Sequence, residues 1–414
     1  MLTPNETNTS KDIGTRKDAN AQKADGSKSV NLNFDNDFVA PLFAITAVVA
    51  LLIVRGALFY FESGDYLWAF RLWVDEFRGM TFFQALGSNV GNYNPPYMYI
   101  LNIISRIGIS DLYLIKAVSI IFDFIIAFFV MKLVSLRTKS RNMHILAFVL
   151  AFAIPTVVIN SSMWGQCDSI FAAFALGSIY FALSERSKLA FAFIAIALSI
   201  KLPAAFILPM FAVFVMVKKI RLRDCYVFFL TYIAMLLPAI IAGRSLGDIF
   251  SVYFGQPGTF LSLNMNIVNI WRFIGDVEFA NFRLAGLFIA GAAVLGLLYF
   301  TYVNRKNLVQ TVDFIRLAFL FAAIVPFLLP QMHDRYFYMA DVLSLVVFLY
   351  DKRRWYVPVV TVFCSYLAYV YYLLDFTVLL DYRYAAIALF VVIIIVLRDY
   401  VTSLYPGKEV HETR

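Results

Sequence analysis

Apolar runs separated by short polar loops fill the chain from Phe38 to Tyr400. Apolar runs of this length, repeated along one chain, are typical of helices that cross a membrane. They predict helices at 38–60, 112–134, 144–159, 168–184, 189–201, 203–217, 225–242, 283–303, 314–329, 337–350, 355–374 and 383–400. The stretch Tyr97–Ile109 is too short to cross and carries Asn102 and Arg106, so we expect an interfacial or re-entrant helix there.

The composition excludes a soluble globular protein. The 414 residues are 61% hydrophobic, 17% aromatic and only 15% charged, with a mean hydropathy of +0.76. We therefore expect an all-α polytopic membrane protein surrounded by membrane lipids, and no nucleic-acid partner. Residues 1–37 differ from the rest, because they are polar and rich in Asn, Lys, Asp, Ser and Thr, a composition that predicts a disordered tail.

The charges of the loops predict the orientation of the helices. Short loops carry basic residues at positions 137, 139, 141, 186, 188, 218, 219, 221, 223, 305, 306, 352, 353 and 354. The positive-inside rule places such loops, and here both chain termini, in the cytoplasm. The opposite side then receives two large loops (61–111 and 243–282), a short loop (160–168), the break at Lys201–Pro203 and the turn around His333.

The basic residues on this predicted extracytoplasmic side are mostly arginines, at positions 71, 78, 106, 244, 272, 283, 335 and 383. The planar guanidinium group suits phosphate oxygens, so the pattern indicates an anionic, phosphate-bearing ligand on that side. The alternative is that each Arg merely extends from a helix end to the membrane surface.

A triplet of ionisable residues, His333, Asp334 and Arg335, lies between two apolar runs. Ionisable groups at membrane depth are costly unless they are paired or face water, so they mark a functional site by default. The chain has three His, and His333 is the one with an apolar run on both sides.

The first large loop holds the best candidate for a catalytic base. Asp65 follows Gly64 directly after the first apolar run, where burial could raise its pKa enough for it to accept a proton. The alternative is that Asp65 only caps the helix that follows. Asp75 and Glu76 are rival carboxylates, but they lie within a predicted helix, where a solvated side chain or a pair with Arg78 is expected.

In their order along the chain, these motifs resemble the GT-C glycosyltransferases. The similarity is greatest to the polyprenyl-phosphate-glucose-dependent enzymes of the N-glycan pathway and to bacterial mannosyltransferase-like relatives. The residues that carry it are Gly64-Asp65, Asn92-Tyr93-Asn94-Pro95-Pro96, Trp164-Gly165-Gln166-Cys167-Asp168, Lys201 and His333-Asp334-Arg335-Tyr336. Two positions depart from the eukaryotic pattern, since Asn94 separates Tyr93 from the prolines and Asp334 replaces a Glu.

The resemblance implies a GT-C fold with about 12 transmembrane helices and two large extracytoplasmic loops. It covers 38–350 as the catalytic transmembrane region, which leaves 351–403 as C-terminal transmembrane helices and 404–414 as a cytoplasmic tail. Enzymes of this kind pass a sugar from a polyprenyl-phosphate monosaccharide to an extracytoplasmic acceptor. The acceptor expected here is a lipid-linked or cell-envelope glycan.

Roles for the candidate residues follow from the resemblance. Asp65 is implied to be the general base of an inverting transfer, and Arg335, His333 and Lys201 are expected to bind the donor phosphate. The residues expected to contact the substrates are Tyr93, Asn94, Trp164, Gln166, Asp168, Asn269, Trp271 and Asp334. No metal and no cofactor is expected.

Several of these interpretations have alternatives. Trp164, Gln166 and Asp168 could orient loops, and Trp271 could belong to a loop helix that packs on the membrane. At the level of the whole protein, a transporter or flippase of lipid-linked sugars would also place polar residues near helix breaks, and Lys201-Leu202-Pro203 has the pattern of such a break. An O-antigen-type ligase or polymerase is a third possibility. The expected location is a bacterial cytoplasmic membrane with the site outside, or alternatively the endoplasmic reticulum membrane with the site in the lumen.

Overall fold

The computed structural model describes residues 36–259, 262–274, 279–375 and 381–405. Residues 1–35 of the predicted N-terminal tail and 406–414 of the C-terminal tail lie outside the described residues. The first helix begins at Asn36, so the last two residues assigned to the tail are helical.

Helices make up most of the described chain. In chain order they are α1 (Asn36–Ala57), α2 (Arg71–Arg78), α3 (Phe82–Gly87), α4 (Pro95–Ile104), α5 (Asp111–Ser135), α6 (Arg141–Phe152), α7 (Pro155–Ile159), α8 (Asp168–Leu183), α9 (Ser187–Ile200), α10 (Leu208–Met216), α11 (Tyr226–Ile241), α12 (Leu246–Thr259), α13 (Phe279–Val303), α14 (Thr311–Leu328), α15 (Tyr338–Tyr350), α16 (Tyr356–Leu374) and α17 (Tyr382–Ser403). Each segment predicted to be helical overlaps at least one of them, and the segment 144–159 is divided between α6 and α7. The sequence did not predict α12 in the second large loop.

The protein is an all-α polytopic membrane protein. Among the described residues, 7 helices are long and apolar enough to cross a membrane, namely α1, α5, α11, α13, α14, α16 and α17, with α11 and α16 each extended by a preceding short helical turn. The bent pair formed by Arg141–Phe152 and Pro155–Trp164 raises this to 8 if it is one span. Four further apolar segments, which contain α8, α9, α10 and α15, have only 10–17 residues, so the larger number of crossings stays a prediction.

The interior of the bundle contains α5, α8, α14 and α15, whereas α1 and α13 expose apolar side chains on the surface of the protein. Small residues allow the inner helices to approach closely, as is common between membrane helices. A Cβ atom on Gly177 of α8 would stand 2.5 Å from the Phe193 ring of α9 and 2.8 Å from the Phe129 ring of α5. This close packing gives the bundle a rigid interior around which loops can be positioned.

The break between α6 and α7 is stabilised by a buried ion pair. The two helices are bent by 50°, and Pro155 begins α7. Arg55 Nη2 donates to the Phe152 carbonyl at 2.8 Å and lies 3.1 Å from Asp123 Oδ2, which also accepts a hydrogen bond from Ser161 at 2.6 Å. A carbonyl freed by a helix break inside a membrane protein needs such a partner. The pair thereby holds the segment that leads to Trp164.

Two contacts each join a pair of the loops that carry basic residues. Lys219 Nζ lies 2.8 Å from Glu185 Oε1, which joins the loops after α8 and α10. Tyr350 donates to the Leu133 carbonyl at 2.7 Å, which joins the ends of α15 and α5. These are the loops that the charge pattern predicts in the cytoplasm, and the helices run from them toward the loops that carry Asp65.

At the other end of the bundle, the second large loop is attached to the turn around His333. Asn264–Met265 (β1) and Met332–His333 (β2) form a short parallel pair, in which Asn264 faces Met332 and Met265 faces His333. This pairing was not predicted, because two-residue strands leave no periodic pattern in a sequence.

Candidate active site

Asp65 lies after the end of α1, at the first residue before a π-helical turn, Tyr66–Phe70. This is an N-cap position, but its side chain makes no capping hydrogen bond. The interpretation of Asp65 as a simple cap is therefore wrong, and its carboxylate is available for contacts with other loops.

Three side chains donate hydrogen bonds to the Asp65 carboxylate. Trp164 Nε1 donates to Oδ2 at 2.8 Å, and Gln166 Nε2 donates to the same oxygen. The hydroxyl of Tyr372 donates to Oδ1 at 2.8 Å. The sequence motif of the first loop and that of the 160–168 loop thus meet at one carboxylate.

Local backbone geometry presents Trp164 and Gln166 together. The segment Asn160–Trp164 is a π-helical turn, a type that is frequent at functional sites. Gly165 ends it with φ of +77°, in the left-handed region that favours glycine. The backbone N–H of Gln166 then donates to the Asn160 carbonyl at 3.0 Å. This hydrogen bond closes the turn, and the side chains of Trp164 and Gln166 both point toward Asp65.

Arg335 occupies the centre of the site. Its guanidinium lies 3.4 Å from Asp65 Oδ2, 3.5 Å from Asp168 Oδ2 and 3.5 Å from Asp334 Oδ1. It also donates to the Tyr93 hydroxyl at 3.5 Å. All four contacts are longer than a usual charged hydrogen bond, so Arg335 bridges several acceptors without a tight bond to any of them.

Lys201 is held by a second ion pair on the same carboxylate that contacts Arg335. Its Nζ lies 2.5 Å from Asp168 Oδ1, while Asn160 donates to Asp168 Oδ2 at 3.0 Å. Lys201 ends α9 in an extended conformation two residues before Pro203. Both Lys201 and Asp168 are buried, so Lys201 does not extend from the helix end to the membrane surface.

The pKa of Asp65 moves in the direction opposite to that expected. Burial favours the neutral acid, but the positive charge of Arg335 and the hydrogen bond from Tyr372 outweigh burial and lower the pKa of Asp65 below its usual value. Asp65 is thus ionised at neutral pH. For Asp334, burial is the larger effect despite the neighbouring Arg335, and its pKa is raised to about 7.

His333 does not provide the positive charge that its motif suggested. Burial and the nearby charges of Arg335 and Lys201 lower the pKa of His333 to about 3, so its ring is neutral. A neutral imidazole still has one N–H that can donate to a phosphate oxygen. The expected contact of His333 with the donor phosphate stays a prediction.

Tyr93 and Asn94 border the cluster at the start of α4. The Tyr93 hydroxyl donates to Gln166 Oε1 at 3.2 Å, and its ring lies 5.5 Å from Lys201 Nζ. Asn94 is buried at the N-cap position of α4, with Pro95 as the first helical residue. Proline fits this position because its missing N–H would have no helical partner there.

Asn269 and Trp271 contact a different part of the protein. Asn269 Nδ2 donates to the Pro326 carbonyl at 3.2 Å, and Trp271 Nε1 donates to the Leu328 carbonyl at 3.0 Å. Both side chains attach the second large loop to the end of α14, just before the His333 turn. Trp271 lies in a short helical turn of the loop, Ile270–Phe273, but its side chain is buried in the protein and does not pack on the membrane. Neither Asn269 nor Trp271 contacts Asp65 in the described part of the chain.

Four of the eight arginines predicted on the extracytoplasmic side are engaged elsewhere. Arg106 donates to the Met80 and Phe77 carbonyls at 2.7 and 2.8 Å, and Arg244 donates to Asn89 at 2.7 Å. Arg383 pairs with Asp381 and Arg78 with Asp75, each at 2.5 Å. These arginines brace loops, and of the set it is Arg335 that joins the Asp65 cluster. The rival carboxylate Asp75 has the Arg78 partner expected for it.

Tyr372, at the end of α16, was missed by the sequence interpretation. Its ring stacks on Trp164 with centroids 4.8 Å apart, in addition to its hydrogen bond to Asp65. The sequence assigned 351–403 to helices outside the catalytic region. A usable signal was present, because Tyr366, Tyr369, Tyr371 and Tyr372 are concentrated where this helix is predicted to reach the side of Asp65.

Comparison with known proteins does not assign the chain to a family. No protein-family model matches the chain, and no curated protein matches it. Any function must therefore be argued from the site.

Substitution of Gly165 by Ala tests the turn that presents Trp164 and Gln166. A Cβ would stand 3.5 Å from Lys116 Cγ, an ordinary contact, so the main effect is backbone strain at a φ of +77°. We expect a loss of about 1–2 kcal/mol in the free energy of unfolding in mixed micelles. Gly291→Ala is the control, because a Cβ there meets nothing within 4 Å. Equal stability of the two variants would contradict the strained turn.

Proposed function

We propose that the protein is an integral-membrane inverting glycosyltransferase of the GT-C type. It moves a hexose from a polyprenyl-phosphate monosaccharide to an extracytoplasmic glycolipid or cell-envelope glycan. The observation that carries the proposal is the Asp65 carboxylate, which is ionised, held by Trp164, Gln166 and Tyr372, and next to the cations Arg335 and Lys201. If the bent pair and the four shorter apolar segments are each counted as a crossing, the fold has 12 spans.

Asp65 acts as the general base in this mechanism. Its Oδ1 accepts one hydrogen bond among the described residues, so it retains a lone pair for an acceptor hydroxyl. The carboxylate takes the hydroxyl proton as the acceptor oxygen forms a bond to the anomeric carbon. The bond from that carbon to the phosphate oxygen breaks, and the polyprenyl phosphate leaves with the electron pair, which inverts the configuration.

Arg335 and Lys201 stabilise the leaving phosphate. Cations placed where negative charge develops supply a large part of catalysis in many enzymes. Because its contacts are 3.4–3.5 Å long, Arg335 can shift toward a phosphate at small cost. Such a shift also weakens its hold on Asp65, so the base becomes stronger when the donor is bound.

An inverting mechanism is favoured over a retaining one. A retaining enzyme needs a second carboxylate as the nucleophile. Asp168 and Asp334 are the other carboxylates of the cluster, but both are buried, and Asp168 is paired with Lys201 and Arg335. Asp65 is the partly exposed member, with 25% of its side chain accessible, which suits contact with an acceptor.

Donor binding should depend on pH through Asp334. Since its pKa is about 7, Asp334 loses its negative charge as the pH falls from 8 to 6, and the donor phosphodiester, which keeps its own charge, then meets less repulsion. We expect the donor Kd to fall by up to about tenfold over this range. Asp334→Asn should bind tightly at both pH values. The same pH dependence in both proteins would contradict this role.

A transporter or flippase of lipid-linked sugars is the second candidate. The helix breaks between α6 and α7 and at Lys201 are the features that favour it, because transporters often bind substrates at broken helices. The transferase is preferred because the polar residues converge on one partly exposed carboxylate at a single end of the bundle. We propose a bacterial cytoplasmic membrane with this end outside.

Reconstituted vesicles separate the two candidates. Purified protein is placed in liposomes that contain a radiolabelled polyprenyl-phosphate hexose in one leaflet and a crude glycolipid acceptor. The proposal expects label in the acceptor with wild type and not with Asp65→Asn. Movement of intact donor to the other leaflet, equally in both proteins and without transfer, would overturn it in favour of the transporter.

A further inference from the structure

Lys116 of α5 has an arrangement that the proposed mechanism does not use. Its side chain is fully buried, and Nζ donates to the carbonyls of Leu58, Phe59 and Phe61 at 3.0, 2.8 and 2.6 Å. An ammonium group has three N–H donors, so all of them are used on backbone carbonyls. No carboxylate pairs with Lys116 in the described ranges of the chain.

The three carbonyls belong to the segment that joins α1 to Asp65. The last carbonyls of a helix have no helical partner and form the negative end of its dipole, which a cation stabilises. Here the cation comes from another helix, and the carbonyls follow the end of α1 at Ala57. Lys116 therefore fixes the course of the chain directly before the proposed base.

The stem of the same lysine lies against the turn that carries Trp164 and Gln166. A Cβ on Gly165 would stand 3.5 Å from Lys116 Cγ and 3.8 Å from Lys116 Cε, so Gly165 packs against the aliphatic part of the Lys116 side chain. Ser63 Oγ adds a hydrogen bond to the Trp164 carbonyl at 2.8 Å, between the same two segments. Lys116 is thus in contact with both segments whose side chains meet at Asp65.

We propose that Lys116 is a positioning residue, which sets Asp65 relative to Trp164 and Gln166 without touching a substrate. That Lys116 positions Asp65 is inferred from the contacts of Lys116 alone. The expected effect of Lys116 on turnover rests on the proposed function. A displacement of about 1 Å in a catalytic group can cost on the order of 100-fold in rate.

Hydrogen exchange by mass spectrometry tests the structural part. Lys116→Met keeps the apolar stem and removes all three donors, and Lys132→Met, near the other end of the same helix, is the matched control because Lys132 Nζ lies over the Tyr180 ring. We expect faster exchange, by about 10-fold or more, in peptides covering 58–66 and 160–167 in Lys116→Met and in neither peptide of the control. Unchanged exchange there, or an increase spread over the whole protein, would overturn the inference.

A second variant covers the case in which Lys116→Met does not fold. Lys116→Gln keeps two N–H donors and should show a smaller increase in the same two peptides. Exchange equal to wild type in Lys116→Gln would then overturn the inference.

Turnover measurements distinguish this inference from the proposed function. With a polyprenyl-phosphate sugar that wild type uses, Lys116→Met should lower kcat by about 10- to 100-fold and leave the donor KM nearly unchanged, because Arg335 and Lys201 are intact. An unchanged kcat, or a loss confined to KM, would overturn the positioning role. If wild type turns over no donor while the local exchange result holds, the proposed function fails and the structural role of Lys116 stands.

Discussion

Asp65→Asn is expected to lower kcat by at least about 100-fold while the donor still binds. General base catalysis contributes on the order of 100- to 10,000-fold, and an amide of the same shape cannot accept the proton. Donor affinity should be equal or higher, since Arg335, which lies 3.4 Å from Asp65, loses a competing carboxylate. Transfer of radiolabelled hexose measures kcat, and equilibrium binding of the donor measures affinity.

Asp75→Asn is the matched control for this variant. Asp75 lies in the same loop, on α2, where its exposed carboxylate pairs with Arg78. The Asp75→Asn variant should retain nearly all of the wild-type transfer activity. More than about one tenth of wild-type turnover in Asp65→Asn would exclude Asp65 as the base, and an equal loss in both variants would indicate a general effect on the loop.

Arg335→Gln is expected to have the second large effect, on both donor affinity and stability. The substitution leaves Asp65, Asp168 and Asp334 without the cation they share. Removing one partner of a buried ion pair costs about 3–5 kcal/mol, and Arg335 is only 11% exposed. We therefore expect a lower unfolding midpoint in micelles, and donor binding weaker by at least about 10-fold in the folded fraction.

Two further variants serve as comparisons for Arg335→Gln. Arg335→Lys keeps the charge but cannot bridge several carboxylates, so its donor affinity should be intermediate. Arg383→Gln removes an exposed arginine that pairs with Asp381 at the start of α17, and it should bind the donor normally. Wild-type donor affinity in a folded Arg335→Gln protein would exclude the phosphate role of Arg335.

The sequence predicted the helices well because long apolar runs in a membrane protein leave few other structures. Every predicted segment is helical, and the short stretch around Tyr97 is the separate helix α4. The bounds of α8, α9 and α15 agree with the predicted segments to within two residues, whereas the segment predicted at 203–217 consists of a 3-10 turn, Leu202–Ile207, followed by α10. The strand pair β1–β2 depends on contacts between distant loops and has no local pattern.

For the site, the motifs identified Asp65, Trp164, Gln166, Lys201 and Arg335 as residues of one region, and the structure brings them together. The sequence could not show whether burial or the neighbouring charges determine the pKa of each ionisable group. The pKa of Asp65 depends on whether burial or Arg335 is stronger, and that requires their distance. The tyrosines near the end of α16 were a signal for an aromatic cluster, but the sequence did not show that Tyr372 contacts Asp65, which lies 307 positions away.

The most direct test of the account is a mass balance of the reaction in purified protein. A double-labelled donor, with one label in the hexose and one in the polyprenyl chain, is incubated with protein and acceptor. The account predicts that hexose label enters the acceptor, with inverted configuration, and that an equal amount of polyprenyl phosphate is released. Donor that is bound yet stays intact with every acceptor tested, or that crosses the bilayer with both labels together, would contradict it.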